Sequence, residues 1–185
     1  EYGKSKGVVI EHYIISSGLK KIIEGTEIAK NFCEIFASEF VYDEYGVPYW
    51  PAVALNYTSK IQFLYRINKG IFDVSDDKNL NDSMEERNRR IPFCNMIYIG
   101  DGLTDVPSMK VTKLNGGHSI GVYADEQENA RKMMKAGRIN FMAKADYTKD
   151  SELMRIVKRI VDMLAAENDL MELSLSQYDK SKENF

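Results

Sequence analysis

The segment 96–109 constrains the fold of this chain more than any other feature. It reads Met-Ile-Tyr-Ile-Gly-Asp-Gly-Leu-Thr-Asp-Val-Pro-Ser-Met, which is a short apolar run, an acid between two glycines and a polar stretch. This order predicts a strand that ends at Gly100 and a helix soon after it. Gly100 and Gly102 allow a sharp backbone bend, so we expect Asp101 to project into the crevice above a sheet.

The residues after Asp101 fit the beginning of a helix. Thr104 or Asp105 can cap that helix, and Pro107 suits its first turn, where a missing N–H costs little. Asp101 and Asp105 are four residues apart and would face one opening, which suits a hard cation that prefers oxygen ligands. An ordinary Gly-Asp-Gly turn followed by a helix cap is the alternative interpretation of the same residues.

The segment 100–109, Gly-Asp-Gly-Leu-Thr-Asp-Val-Pro-Ser-Met, resembles the fourth motif of the haloacid-dehalogenase-like (HAD) superfamily, and is most similar to its phosphoserine-phosphatase-like branch. The second family motif is an apolar strand that ends in Ser or Thr, and residues 12–19 match it with Ser16 in the phosphate-binding position. The third is a Lys at a helix start, which Lys60 supplies within residues 58–64. The resemblance covers roughly residues 8–145 and implies a three-layer α/β fold with a Rossmann-like parallel sheet.

The first family motif has no counterpart in this chain. That motif is an apolar strand followed by Asp-x-Asp-x-Thr/Val, and it carries the nucleophile and the general acid/base. Residues 1–15 contain no Asp, and their acids are Glu1 and Glu11. We therefore expect a HAD core truncated at the N-terminus, which also lacks the helical cap usually inserted after that strand.

The resemblance implies a magnesium site at Asp101 and two catalytic residues, Lys60 and Asp105. Asp101 would be a direct Mg²⁺ ligand, and Asp105 would act from the second shell on a metal-bound water or on neighbouring groups. Lys60 would add positive charge where a helix N-terminus already favours anions.

The substrate phosphate would be held by hydroxyl and backbone donors together with Lys60. Ser16 would donate its hydroxyl, assisted by the backbone N–H groups of Ser17 and Gly18. Thr104 stands where related phosphatases often carry an Asn; its hydroxyl can donate one hydrogen bond but cannot replace an amide.

Two functional classes follow from the resemblance. In the first, the chain is the C-terminal portion of a magnesium-dependent HAD phosphatase that hydrolyses a small phosphorylated metabolite through an aspartyl-phosphate. The nucleophile is absent from these residues, so this chain alone is expected to be inactive. In the second, the chain is a non-catalytic phosphate-binding or interaction module on the same scaffold.

Composition narrows the setting in which such a protein works. At 185 residues and 44% hydrophobic content, the chain can form one core domain, which we place at residues 1–172 and follow with a polar tail at 173–185. A net charge of −3 disfavours a nucleic-acid surface, and no apolar run approaches the length of a membrane helix. Cys33 and Cys94 are isolated, which indicates a reduced, cytoplasmic setting.

Apolar strands alternate with helical segments, which predicts a parallel sheet covered on both faces. The predicted strands are 11–16, 38–43, 95–100, 118–123 and 139–143. The predicted helices are 18–31 with a break near Gly25, 58–69, 105–114, 126–136 and 150–172.

Two further segments and the two histidines lead to separate structural expectations. Residues 40–50 predict a small hairpin whose Tyr45, Tyr49 and Trp50 cover the core. Residues 73–90 are highly charged and predict an exposed insertion. Neither histidine is assigned a catalytic role: His12 is expected inside the sheet or core, and His118 in a turn or lining a cleft.

The missing first-motif strand would lie between strands 11–16 and 95–100, with strands 38–43 and 118–123 flanking outward. We expect one of three outcomes: a separate N-terminal piece in the gap, direct pairing of the two strands, or association with a partner through the incomplete sheet.

Overall fold

A computed structural model describes residues 1–182, and these form two compact units. The larger unit comprises residues 11–142, and the other combines residues 1–10 with the chain from residue 143 onward. The architecture is mixed α/β with parallel strand pairing, compatible with a Rossmann-like fold.

The chain alternates strands and helices along most of its length. The strands are β1 (Tyr13–Leu19), β2 (Glu34–Tyr42), β3 (Pro48–Val53), β4 (Ile97–Gly100), β5 (His118–Tyr123) and β6 (Phe141–Lys144). The helices are α1 (Tyr2–Ser5), α2 (Lys20–Glu24), α3 (Lys60–Lys69), α4 (Asp77–Asn81), α5 (Val106–Leu114), α6 (Glu128–Lys135) and α7 (Glu152–Lys182). Short 3₁₀ turns occupy Ala29–Asn31, Glu86–Asn88, Phe93–Asn95 and Leu103–Asp105.

The first sheet has the order β1-β2-β3. β1 and β2 are parallel, and β2 and β3 form the expected antiparallel hairpin. The Asp43 carboxylate closes its turn by accepting from the backbone N–H groups of Tyr45 (3.0 Å) and Val47 (2.8 Å). Gly46 has φ +77°, a left-handed conformation that favours glycine, so the turn depends on both residues.

The second sheet has the order β4-β5-β6, and the division between the two units falls within β6. β4 and β5 are parallel, with Gly100 opposite Gly121. β1 and β4 each lie at the end of their own sheet, so the anticipated direct pairing of these strands does not occur. The strands expected to flank these two are confirmed, since β2 pairs with β1 and β5 pairs with β4. Residues 1–10 contain helix α1 and no strand.

One hydrophobic core in the larger unit contacts both sheets. α3 contributes Phe63, Leu64 and Ile67, whose spacing places them on one helix face. The Phe63 ring lies 4.8 Å from that of Phe36 in β2, while Met109 of α5 is fully buried in the same cluster. Because α3 and α5 share this core, the residues at their N-termini are held in fixed positions.

Several predicted boundaries differ from the structure. The break expected near Gly25 within the predicted helix 18–31 is confirmed, because α2 ends at Glu24. The part after the break is a loop with one 3₁₀ turn rather than a helix. Helix α7 continues through residue 182, so the predicted end at 172 is wrong, and residues 173–182 are exposed helix rather than irregular tail. The last three residues of the predicted tail, 183–185, lie outside the described residues.

The hairpin aromatics do not cover the core. Tyr45 is 83% exposed, Tyr49 65% and Trp50 64%, so that expectation is wrong. His12 is also exposed and lies just before β1, rather than inside the sheet or core. His118 is half-buried and begins β5, not a turn.

The smaller unit is organised by an ion cluster. Asp162 of α7 accepts a 2.6 Å hydrogen bond from the Tyr2 hydroxyl and forms a 3.2 Å ion pair with Lys6. These contacts hold the pKa of Asp162 below its ordinary value, with the Tyr2 hydrogen bond as the largest cause. Within residues 1–182, no helix combines the length and the apolar character needed to cross a membrane.

Candidate functional site

The N-terminus of α3 places Lys60 inside the larger unit. The loop before it is fixed by Asn56, whose side-chain oxygen accepts from the backbone N–H groups of Thr58 (2.9 Å) and Ser59 (3.0 Å). The Ser59 hydroxyl in turn accepts from the Asn56 N–H at 2.7 Å. α3 begins at Lys60, as expected, and this residue is only 6% exposed. A lysine this deeply buried needs a partner of opposite charge.

Asp105 is that partner. Its Oδ1 accepts a 2.7 Å hydrogen bond from Lys60 Nζ, which closes an ion pair between residues 45 apart in sequence. The same Oδ1 accepts from the Tyr98 hydroxyl at 2.8 Å, and Oδ2 accepts from the Gly102 N–H at 3.3 Å. Asp105 is 7% exposed, so its charge is balanced by these donors rather than by bulk water.

Tyr98 is a site residue that the sequence interpretation missed. Burial raises the pKa of the Tyr98 phenol well above its ordinary value, and Asp105 raises that pKa further. The hydroxyl therefore stays protonated and donates to Asp105. A signal was present: Tyr98 lies two residues before Gly100 on the same strand face, and a buried tyrosine hydroxyl needs an acceptor.

Gly100 is required for a reason other than a backbone bend. A Cβ at this position would lie 2.8 Å from the Cβ, Cγ and Oδ2 atoms of Asp105. Neither Gly100 nor Gly102 has a positive φ, and Gly102 is simply extended at φ −110°. The glycine at 100 thus makes room for the Asp105 side chain, and the bend expected after β4 forms at Gly102 without a positive φ.

Asp101 and Thr104 lie on the exposed side of the same turn. Asp101 follows β4 directly, and within the described residues its carboxylate makes no hydrogen bond or ion pair. Thr104 is exposed in the 3₁₀ turn that leads into α5. Pro107 occupies the first turn of α5 as expected, and Asp105 is the N-cap residue, although its side chain makes no capping hydrogen bond. The two acids therefore differ: Asp101 is accessible and Asp105 is enclosed.

β1 continues to Leu19, so the predicted strand end at Ser16 is wrong, and Ser16, Ser17 and Gly18 lie within the last four residues of the strand. The Ser16 hydroxyl accepts a 3.0 Å hydrogen bond from the Gly18 N–H, while Ser17 and Gly18 are exposed. The Ser17 carbonyl accepts from the Ser38 hydroxyl at 3.3 Å, and that hydroxyl accepts from the Leu55 N–H at 3.1 Å. The end of β1 is therefore tied to β2 and to the loop that leads towards α3.

Only part of the predicted site is brought into direct contact within the described residues. The structure brings Lys60 and Asp105 into contact, with the turn that carries Asp101 attached through the Gly102 N–H. Over residues 1–182, no hydrogen bond links Ser16 to Lys60 or Asp105. Ser16, Ser17 and Gly18 thus lie in β1, whereas Lys60 and Asp105 lie at the starts of α3 and α5.

The oxygen donors fit part of a magnesium site. Asp101 offers an accessible hard carboxylate, but both Asp105 oxygens are already engaged by Lys60, Tyr98 and Gly102. Among the residues described, no group of three or more His, Cys, Asp or Glu side chains is placed to hold a metal ion. Mg²⁺ bound at Asp101 would need further oxygens, such as those of a phosphate or of another carboxylate.

Comparison with known proteins places this chain beside a bacterial relative. A protein of Borreliella burgdorferi, described as "Uncharacterized protein", is 30% identical over 162 residues, in a match that covers 78% of this chain and 55% of that protein. This chain therefore spans about half the length of that relative. No protein-family model matches the sequence.

Proposed function

We propose that this chain is the C-terminal portion of a magnesium-dependent phosphatase of the HAD type that acts on a small phosphorylated metabolite. The observation that carries the proposal is the buried contact between Lys60 and Asp105. Two motif residues 45 positions apart, expected to share a site from the resemblance alone, meet at 2.7 Å beside the Gly-Asp-Gly turn.

The described residues supply charge neutralisation and positioning, which are the main requirements of phosphoryl transfer. Asp101 would hold Mg²⁺, which supplies positive charge to the phosphate oxygens when bound. Lys60 adds a fixed ammonium at a helix N-terminus, and Asp105 orients that ammonium with help from Tyr98. Lys60 and Asp105 are therefore assigned to the catalytic machinery as a coupled pair.

The phosphate would be received by the exposed end of β1. The backbone N–H of Ser17 and the Ser16 hydroxyl proton, which the Gly18 hydrogen bond leaves available, can donate to phosphate oxygens. Thr104 would contribute one further hydroxyl from the turn after Asp101. This assignment agrees with the exposure of Ser17 and Thr104, whereas the Gly18 N–H, expected to assist, donates to the Ser16 hydroxyl instead.

The nucleophile would arrive on one additional strand. β1 and β4 are the end strands of two sheets that share a core, so each has one edge without a strand partner among the described residues. A parallel strand between them would pair both edges, as backbone hydrogen bonding favours. We infer that a segment outside these 185 residues supplies that strand and its Asp nucleophile.

A second candidate is a non-catalytic phosphate-binding module. The burial of Lys60 favours it, because an ammonium that is 6% exposed and bonded to Asp105 has little surface left to stabilise a transition state, whereas phosphate binding at β1 does not need it. The two candidates differ in turnover rather than in phosphate binding.

The test is turnover of p-nitrophenyl phosphate by the longer polypeptide encoded when the reading frame is extended upstream of Glu1. Asp101→Asn should lower Mg²⁺-dependent turnover on the order of 10²-fold, and Ser16→Ala should have a smaller effect. Asp169→Asn, which changes an exposed acid of α7, is the matched control and should keep full activity. Equal activity of Asp101→Asn and Asp169→Asn would contradict the assignment of Asp101.

A further inference from the structure

A cleft that is separate from the Asp101 turn lies on the outer face of α3. Its volume is about 440 Å³, within the range typical of small-molecule sites. Gln62, Tyr65 and Lys69 line one side at i, i+3 and i+7 spacing, which places them on one helix face. The opposite side is formed by residues 80–84 and by Arg89, all from the charged insertion.

The cleft carries two cations whose hydrogen-bond partners are neutral. Lys69 Nζ donates to the backbone carbonyls of Leu80 and, at 2.6 Å, of Asp82. Arg89 Nη1 donates to the side-chain oxygen of Asn68 at 2.7 Å. Because carbonyl and amide oxygens have no net charge, these contacts fix the cations in place without neutralising them.

Carboxylates compensate this charge only in part. Glu86 lies 3.7 Å from Arg89 Nε, but Glu86 is 73% exposed and water screens the pair. Arg89 Nε itself is buried and makes no hydrogen bond within the described residues. Within residues 1–182, Asp82 is the one acid that lines the cleft, against two cations. The local balance therefore favours an anion.

The remaining lining provides an apolar surface. The Tyr65 ring is 39% exposed and is held edge-on against Phe93, with ring centroids 5.2 Å apart at 74°. Leu80 and Met84 are half-buried on the facing segment. A rigid aromatic ring beside a flexible methionine suits a flat apolar group.

We propose that this cleft binds a small anionic metabolite that combines a phosphate or carboxylate group with a flat apolar portion. The anion contacts Arg89 and Lys69, and the apolar portion lies against Tyr65 and Met84. The site is separate from the Asp101 turn, so it stands whether or not the chain belongs to a phosphatase.

The probe is phenylphosphonate, which has both features and cannot be hydrolysed as a phosphate ester. Titration calorimetry with the 185-residue chain should show saturable binding, and Arg89→Gln should weaken it about tenfold or more, as expected for loss of a charged hydrogen bond. Arg87→Gln is the matched control, because Arg87 lies exposed in the 3₁₀ turn that ends just before Arg89 and does not line the cleft. It should bind as the wild type does.

An NMR titration of the wild-type chain keeps the test independent of variant folding. Phenylphosphonate should shift the backbone resonances of Tyr65, Lys69, Met84 and Arg89. Shifts confined to Ser16–Gly18 and Asp101 would overturn the proposal, because the probe would then occupy the other site. Equal affinities of Arg89→Gln and Arg87→Gln, or no saturation up to about 10 mM, would overturn it as well.

Discussion

Replacing Lys60 by Met should destabilise the larger unit strongly. Lys60 and Asp105 are 6% and 7% exposed, and their 2.7 Å contact lies out of bulk water. Lys60→Met leaves the Asp105 carboxylate buried with only Tyr98 and Gly102 as donors. Breaking a buried pair in this way costs about 3–5 kcal/mol, a large part of the roughly 5–15 kcal/mol that stabilises a typical domain. For a chain of this size the melting temperature should fall by roughly 6–20 °C.

Urea unfolding followed by far-UV circular dichroism measures this cost. The control is Lys132→Met, which removes the cation from a pair with the same 2.7 Å separation to Glu128 but with side chains 67% and 75% exposed. Because water screens that exposed pair, its loss should leave the free energy of unfolding almost unchanged. Adding Asp105→Leu to Lys60→Met should restore much of the lost stability, because it removes the unpaired charge. The reasoning would be refuted if the free energies of unfolding of Lys60→Met and Lys132→Met differed by less than about 0.5 kcal/mol.

Two further predictions concern packing and pH. Gly100→Ala should lower the free energy of unfolding in urea by about 1–3 kcal/mol, because its Cβ would lie 2.8 Å from Asp105 atoms. Gly25→Ala is the control and should be tolerated, because its nearest contact would be 3.4 Å away. Equal effects of the two substitutions would exclude the steric explanation. Hydrogen bonds from Arg90, the largest cause, and from Tyr13 lower the pKa of Glu11 below its ordinary 4.5. Because the folded state binds the ionised form of Glu11 more favourably than the unfolded state does, this carboxylate stabilises the fold. Its contribution is complete above pH 4.5 and is lost as the pH falls through the lower folded-state pKa. The free energy of unfolding of the wild type should therefore fall more steeply below pH 4.5 than that of Glu11→Gln. Parallel pH profiles would show that this carboxylate contributes nothing.

Elements with strong local patterns could be predicted from the sequence. β5 occupies His118–Tyr123, the predicted range, because a short apolar run follows two glycines. α3 lies within its predicted range because Phe63, Leu64 and Ile67 recur at helical spacing and Gly70 ends the helix with φ +76°. In both cases the local signal and the tertiary environment agree.

The features that were missed depend on tertiary contacts. An aromatic residue on a hairpin can face a core or water, and nothing local indicates that Tyr45 and Trp50 are exposed. The steric role of Gly100 arises from the Asp105 side chain folding back over the strand end, which backbone propensity does not describe. The polar composition after residue 172 suggested a tail, although Leu, Glu, Gln and Lys are also good helix formers.

The candidate site was predictable as a set of motifs but not as a network. The motifs predict that Lys60 and Asp105 share a site, but their buried ion pair is a property of how α3 and α5 pack on one core. Tyr98 completes that network and was not assigned a role. Arg89 lies in the segment 73–90, whose charge indicates only exposure, whereas Lys69 is the last residue of α3. A sequence does not show which cations lack a close carboxylate partner in the fold.

The most direct test of the central claim compares phosphate release from p-nitrophenyl phosphate, with Mg²⁺ present, by this 185-residue chain and by the polypeptide extended upstream of Glu1. The claim predicts release by the extended polypeptide only, since a covalent mechanism needs the Asp nucleophile that the additional strand would carry. Release by the 185-residue chain at the same rate would show that its own residues contain the nucleophile. An inactive extended polypeptide would contradict the phosphatase proposal and favour the phosphate-binding module.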